Sequence, residues 1–127
     1  MVARYVILKK NRQQAVVKVL GQGQVTVPLS ELKLDDETLV SPEAAITFMY
    51  WNTAPTSGFN INITRGGQVI YYLTGGDNWN LSQGTGFADN EFADQDIVVD
   101  LLNDNGTLIL CLNKSGYQEP ETQGTGR

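Results

Sequence analysis

Four carboxylates within eight residues are the side chains in this sequence that come closest to a chemical site. They are Asp89, Glu91, Asp94 and Asp96. Calcium and other hard cations take several oxygen ligands from a flexible loop, but this run lacks the spacing and the central glycine of an EF-hand loop. A solvated acidic loop is the simpler interpretation. We therefore predict no metal site and keep cation binding by residues 89–96 as the alternative.

The remaining chemistry-bearing residues disfavour catalysis. The sequence has no histidine, which excludes every scheme that uses imidazole as a base or metal ligand. Its one cysteine, Cys111, lies in an apolar strand pattern and is predicted to be a buried small hydrophobe. No carboxylate pair has a spacing that identifies glycoside hydrolysis, and no glycine-rich stretch leads into a helix as a phosphate loop does. We predict that the protein is not an enzyme and needs no cofactor.

Aromatic side chains are the second group that could bind a ligand. Trp51, Trp79, Tyr71, Tyr72 and Tyr117 could supply a stacking platform for sugars. Neighbouring residues of a strand point to opposite faces, so one of Tyr71 and Tyr72 is expected in the core with Trp51. Core and interface packing is favoured. A carbohydrate-binding β-sandwich, with Tyr72 and Trp79 exposed, is the alternative function.

Charge is distributed unevenly along a chain whose net charge is −5, a balance that disfavours nucleic acid as a partner. Residues 89–104 carry six acids and no base, whereas the first eighteen residues carry five positive charges and no acid. Surfaces of opposite sign favour head-to-tail association or an oppositely charged partner. Pairing of these charges within the monomer is an equal alternative. The five positive residues are Arg4, Lys9, Lys10, Arg12 and Lys18.

The hydrophobic pattern that must position these residues predicts strands joined by tight turns. The predicted strands cover residues 4–10, 13–20, 24–29, 44–52, 59–64, 68–73, 96–102 and 107–112. Hairpin turns are expected at Asn11-Arg12, at Arg65-Gly66-Gly67 and through Asn103-Asp104-Asn105-Gly106. One helical turn is expected near residues 30–34, and residues 74–95 form a long irregular stretch with a short strand around Trp79.

This strand spacing predicts an all-β fold, an antiparallel β-sandwich or jelly-roll-like barrel with long loops and an extended C-terminal arm. The β-sandwich domain covers residues 1–112, and the polar arm covers residues 113–127. Tyr117 is the only large apolar residue of the arm, so the arm is expected to order against a partner. No stretch approaches the length that spans a membrane, and no membrane partner is predicted.

Three segments that each contain both glycine and asparagine stand out in the sequence. They are Gly58-Phe-Asn-Ile-Asn-Ile-Thr-Arg-Gly-Gly67, Gly75-Gly-Asp-Asn-Trp-Asn80 and Asn105-Gly-Thr-Leu-Ile-Leu-Cys-Leu112. Together with the polar arm they resemble the small structural proteins of tailed-phage virions, and above all capsid decoration, or cement, proteins. The resemblance implies a β-sandwich on the outer capsid surface, as a trimer or at a local symmetry axis, that clamps neighbouring major capsid subunits. It implies a virion protein made in the host cytoplasm.

The predicted partners are therefore the major capsid protein, further copies of this chain, or both. A position in the neck or tail of the virion fits the sequence as a second structural role. Partner contacts are expected from the arm, the glycine-rich loop, the basic N-terminal hairpin and the outward tyrosine of the 68–73 strand. The residues predicted for these contacts are Arg4, Lys9, Lys10, Arg12, Tyr72, Trp79 and Tyr117.

Overall fold

The all-β prediction is confirmed by a computed structural model, which describes residues 2–53, 60–74, 76–80 and 92–118. These residues form one antiparallel curled sheet of seven strands. The strands are β1 (Arg4–Lys10), β2 (Gln14–Val27), β3 (Thr38–Thr53), β4 (Asn60–Arg65), β5 (Gln68–Thr74), β6 (Gly76–Asn80) and β7 (Ile97–Gln118). A 3-10 helix, Leu29–Leu32, follows β2 where a single helical turn is expected.

Strand β7 organises the sheet because it pairs with three other strands. The main strand order is β1-β2-β7-β3-β6, and β4 pairs with both β7 and β5. The first part of β7 lies between β2 and β4, whereas its second part lies between β2 and β3. Most contacts between strands are therefore made by residues far apart in the chain.

The predicted hairpin across residues 96–112 is wrong. Its two halves belong to one strand, β7, and both run antiparallel to β2. The register passes from Gly23 opposite Leu101 to Gly21 opposite Gly106, so the asparagine-rich segment is extra length in a continuous ladder. Glycine and asparagine favour a bulge as readily as a turn. The same irregularity joins the predicted strands 13–20 and 24–29 into β2.

The predicted arm also begins too early. Residues 113–118 complete β7 and pair with β3, with Ser115 opposite Glu43 and Tyr117 opposite Leu39. The polar composition of this segment does not indicate a strand, and its pairing partners in β3 lie 68 to 80 residues earlier in the chain, so no local signal reveals the pairing. Residues 119–127 lie outside the described residues.

Two local hairpins are confirmed. In the first, the side-chain oxygen of Asn11 accepts hydrogen bonds from the backbone N–H groups of Gln13 at 2.9 Å and Gln14 at 2.8 Å, which closes the turn between β1 and β2. In the second, Gly66 and Gly67 have φ values of +60° and +79° between β4 and β5. Two successive positive φ values define a primed turn, which only glycine and a few polar residues adopt readily.

The hydrophobic core covers the inner face of the curled sheet. Alternate residues of β2, β3, β4 and β7 are buried, and Leu29 and Leu32 of the 3-10 helix pack against them. Full burial of one such aliphatic side chain contributes about 1.5–3 kcal/mol. The largest fully buried apolar side chains are Leu32, Ile46, Met49, Ile61, Ile63, Ile97, Leu101, Leu108, Leu110 and Leu112.

Candidate interaction surface

The outer face of the sheet carries an apolar surface where a solvated antiparallel sheet would carry polar side chains. Three rows of cross-strand neighbours cross β1, β2, β7 and β3 on this face. The rows are Arg4, Leu20, Thr107 and Asn52, then Val6, Lys18, Ile109 and Tyr50, then Lys9, Val16, Cys111 and Phe48.

Seven of these twelve residues are apolar, and none is completely buried. The seven apolar residues are Val6, Val16, Leu20, Phe48, Tyr50, Ile109 and Cys111. We call these seven residues, together with Lys18, the outer patch. Tyr50 is 45% exposed, and Leu8, in the bulge of β1 beside the patch, is 52% exposed. Contiguous apolar surface of this kind marks interaction sites on soluble proteins.

Cys111 differs from its prediction. It is half-buried on the outer face, between Val16 of β2 and Phe48 of β3, while Leu110 and Leu112 point into the core. Burial raises the pKa of the Cys111 thiol, so the thiol stays protonated near neutral pH. Strand alternation places Cys111 opposite in direction to its apolar neighbours, a consequence that the unbroken apolar run concealed.

The basic N-terminal hairpin divides into two groups. Lys10 Nζ donates to the backbone oxygen of Lys33 at 2.9 Å. The Arg12 guanidinium forms a bidentate salt bridge with the Asp36 carboxylate, at 2.8 and 3.0 Å. The side chains of Lys10 and Arg12 therefore bind polar groups of their own chain. In contrast, Arg4 and Lys9 are exposed on β1 and make no ion pair with any residue that the structure describes.

The predicted aromatic contacts also separate. Tyr72 is 61% exposed on β5, and Tyr71 and Trp51 lie deeper, as strand alternation predicts. Trp79 lies on β6 opposite Met49 of β3, and its side chain lies outside the described part of the molecule. The Tyr72 and Trp79 strands do not pair with each other among the described strands.

Tyr117 is an internal residue, which corrects the prediction that it contacts a partner. Its ring is buried, and its hydroxyl donates to the backbone oxygen of Leu29 at 2.7 Å. Burial raises the pKa of Tyr117 well above the usual tyrosine range. The ammonium of Lys114 lies 4.7 Å from the centre of the Tyr117 ring, a favourable cation–π distance.

The acidic segment is held to the sheet through its backbone. Arg65 is fully buried, and its guanidinium donates to the backbone oxygens of Ala44 at 2.7 Å, Ala93 at 2.8 Å and Gln95 at 2.7 Å. Asp96 accepts a hydrogen bond from the backbone N–H of Leu29 at 2.9 Å. Asp89 and Glu91 lie outside the described residues. Within the described ranges, no three cysteine or acidic side chains are grouped to hold a metal ion.

Neither the outer patch nor the buried charges of the structure are predicted from the sequence. The alternation in residues 44–52 is apolar on both faces, a pattern that is equally typical of a central strand buried on both sides. Tertiary register then adds Val6, Leu20 and Ile109 to the same surface as Tyr50. Arg65 sits beside a predicted turn, where an arginine normally reaches solvent, so no local signal indicates its burial.

Comparison with protein-family models, with curated proteins and with solved structures finds no match. Among the described residues, no helix has the length and apolar character needed to cross a bilayer. The outer patch, with Arg4 and Lys9 at its border, is the strongest candidate site in the described part of the chain. It can bury apolar area against another macromolecule.

Proposed function

We propose that this protein is a non-enzymatic structural protein of a tailed-phage virion, a capsid decoration or cement protein that binds and stabilises major capsid subunits. The outer patch is the observation that carries the proposal. A sheet that shields its core on one face and presents apolar side chains on the other is suited to covering a second protein. The resemblance of three sequence segments to decoration proteins supplies the choice of partner.

The physical demands of such a role are modest. Stable recognition needs about 800 Å² of buried surface per partner, and contacts with several subunits then strengthen each other through effective concentration. The outer patch spans four strands and contributes to one such surface, which exposed residues at its border would extend. Neighbouring copies of this chain and the polar residues 119–127 would supply further contacts on the capsid, and a neck or tail position would use the same patch.

Binding to capsids that lack the protein tests the proposal. We expect purified protein to bind such capsids and to raise the temperature at which they open. The variant Tyr50→Ser removes an exposed ring of the outer patch and should weaken binding about tenfold or more. Val40→Ser is the matched control, because Val40 is 47% exposed on β3 outside the patch. Failure of the wild-type protein to bind, with no change in capsid heat stability, would refute the role.

A carbohydrate-binding module is the second candidate, favoured by the exposed ring of Tyr72. Aromatic faces stack on the apolar faces of sugars, and Tyr72 is the most exposed aromatic residue among those whose side chains the structure describes. Binding on a glycan array that Tyr72→Ala and Trp79→Ala both abolish, and that Tyr50→Ser leaves intact, would favour this function over capsid binding.

A further inference from the structure

We infer that the outer patch binds a protein surface with an acidic border and that this surface places a carboxylate against Lys18. The inference deepens the proposed function, on which it rests for the identity of the partner. It adds the chemistry of the surface that is recognised and a residue that determines specificity.

Lys18 has an unusual position for a lysine. Its nearest outward neighbours across the sheet are Val6 on β1 and Ile109 on β7, and its outward neighbours along β2 are Val16 and Leu20. All four are aliphatic. Lys18 is half-buried among them and makes no ion pair with the residues that the structure describes.

This surrounding determines what a partner must supply. A protein that covers the four aliphatic neighbours of Lys18 closely enough to enclose the whole lysine side chain also removes water from its ammonium group. A buried ammonium without a counter-charge is strongly unfavourable. A partner carboxylate at hydrogen-bond distance would compensate this loss and would fix the register of the complex.

The β1 side of the patch carries positive charge, as Lys18 does. Arg4 and Lys9 lie on β1 at one side, and the three cross-strand rows contain no aspartate or glutamate. The whole chain nevertheless has a net charge of −5, so the patch and its β1 side are opposite in sign to the molecule as a whole, while Asp100 lies further along β7 on the same face, beyond the three rows. Complementary charge selects an acidic partner and speeds its encounter.

Two other occupants fit less well. A second copy seated face to face by a two-fold axis would bring two positive patches together, which like-charge repulsion opposes. Single-stranded nucleic acid is bound mainly by stacking on aromatic side chains. The patch instead surrounds Lys18 with aliphatic groups, and Phe48 and Tyr50 are its only rings. An acidic protein surface remains the best match.

Substitutions at Lys18 test the inference on capsids that lack the protein. Lys18→Glu should weaken binding about 100-fold or more, and Lys18→Met, which keeps the length but removes the charge, about tenfold. Raising NaCl from about 50 to about 400 mM should weaken wild-type binding more than Lys18→Met binding. Lys33→Glu, which changes the net charge equally in the loop after the 3-10 helix, should bind like wild type. Thermal unfolding of each variant confirms that it is folded.

The outcomes separate the two claims. Wild-type protein that does not bind capsids overturns the proposed function and this inference together. Wild-type binding that Lys18→Glu leaves unchanged overturns the inference alone. The inference also fails if the wild-type protein self-associates in the ultracentrifuge and Tyr50→Ser abolishes that association. It fails as well if an oligo-dT strand binds the patch and competes with capsids.

Discussion

The ammonium of Lys114 lies 3.1 Å from the carboxylate of Glu37, and both side chains are completely shielded from solvent. Lys114 Nζ also donates to the backbone oxygen of Asn11 at 2.7 Å. The second Glu37 oxygen, Oε2, lies 3.7 Å from Arg12. This ion pair joins the end of β7 to the β1–β2 turn and to the loop before β3.

Removing one member of this pair should be costly. In Glu37→Gln the ammonium of Lys114 stays buried without its counter-charge, and we expect a loss of about 3–5 kcal/mol in the free energy of unfolding. The double variant Glu37→Leu, Lys114→Met should lose clearly less, because no charge remains buried. Urea unfolding at neutral pH measures both. The matching single variants are Glu37→Leu and Lys114→Met, and a double variant whose loss of stability equals the sum of theirs would contradict an ion pair that acts as a unit.

Arg65 should control the segment that precedes β7. In Arg65→Met the backbone oxygens of Ala44, Ala93 and Gln95 lose charged donors, and we expect a loss of about 3 kcal/mol or more. The backbone N–H of Ala44 donates to the oxygen of Ala93 at 2.9 Å, so amide exchange at Ala44 should accelerate as the segment opens. Unchanged exchange at Ala44 would show that Arg65 does not hold this segment.

Alanine substitutions at Gly21 and Gly23 distinguish the destabilisation caused by a steric clash from that caused by backbone strain. Their φ values are +109° and +107°, but a Cβ at Gly21 would lie 2.6 Å from the backbone oxygen of Val2, whereas one at Gly23 meets nothing within 4 Å. Both alanine variants carry the strain of a positive φ. Thermal unfolding should show Gly21→Ala less stable than Gly23→Ala by about 1–3 kcal/mol. Equal stabilities would mean that the contact with Val2 relaxes freely.

The pair of Arg12 and Asp36 predicts an acid-sensitive contribution to stability. The Arg12 guanidinium lowers the pKa of Asp36 below its ordinary value of 3.8. This contribution is complete above the ordinary value and is lost as the pH falls through the lowered pKa of the folded state. In Arg12→Gln the carboxyl resonance of Asp36 should titrate at a higher pH in an NMR experiment. An unchanged titration midpoint would show that the pair does not persist in solution.

Local patterns predicted the local parts of this fold. The β1–β2 and β4–β5 hairpins and the 3-10 helix are each specified within about a dozen residues, by alternation and by turn residues such as Asn11, Gly66 and Gly67. The predicted hairpin across residues 96–112 is wrong because Asn105-Gly106 is as favourable in a bulge as in a turn. Only the pairing of both halves with β2 decides between these outcomes.

The candidate site was predicted less completely for a related reason. Exposure of Tyr72 follows from strand alternation, but the outer patch exists only because β1, β2, β7 and β3 align in one register. Burial of Glu37 and Lys114 depends on the same long-range pairing. A charged residue is ordinarily expected in solvent, so nothing local in the sequence indicates the burial of either side chain.

The accessibility of Cys111 on the capsid tests the central claim most directly. Cys111 is the only cysteine of the chain and lies within the outer patch, so alkylation by a maleimide reports whether that face is covered. Binding to capsids should slow alkylation about tenfold or more, because interface cores exclude water. A cysteine placed at Val40 in a Cys111→Ser background should react at its free rate. Bound protein in which Cys111 reacts as fast as in the free state would contradict docking through the outer patch.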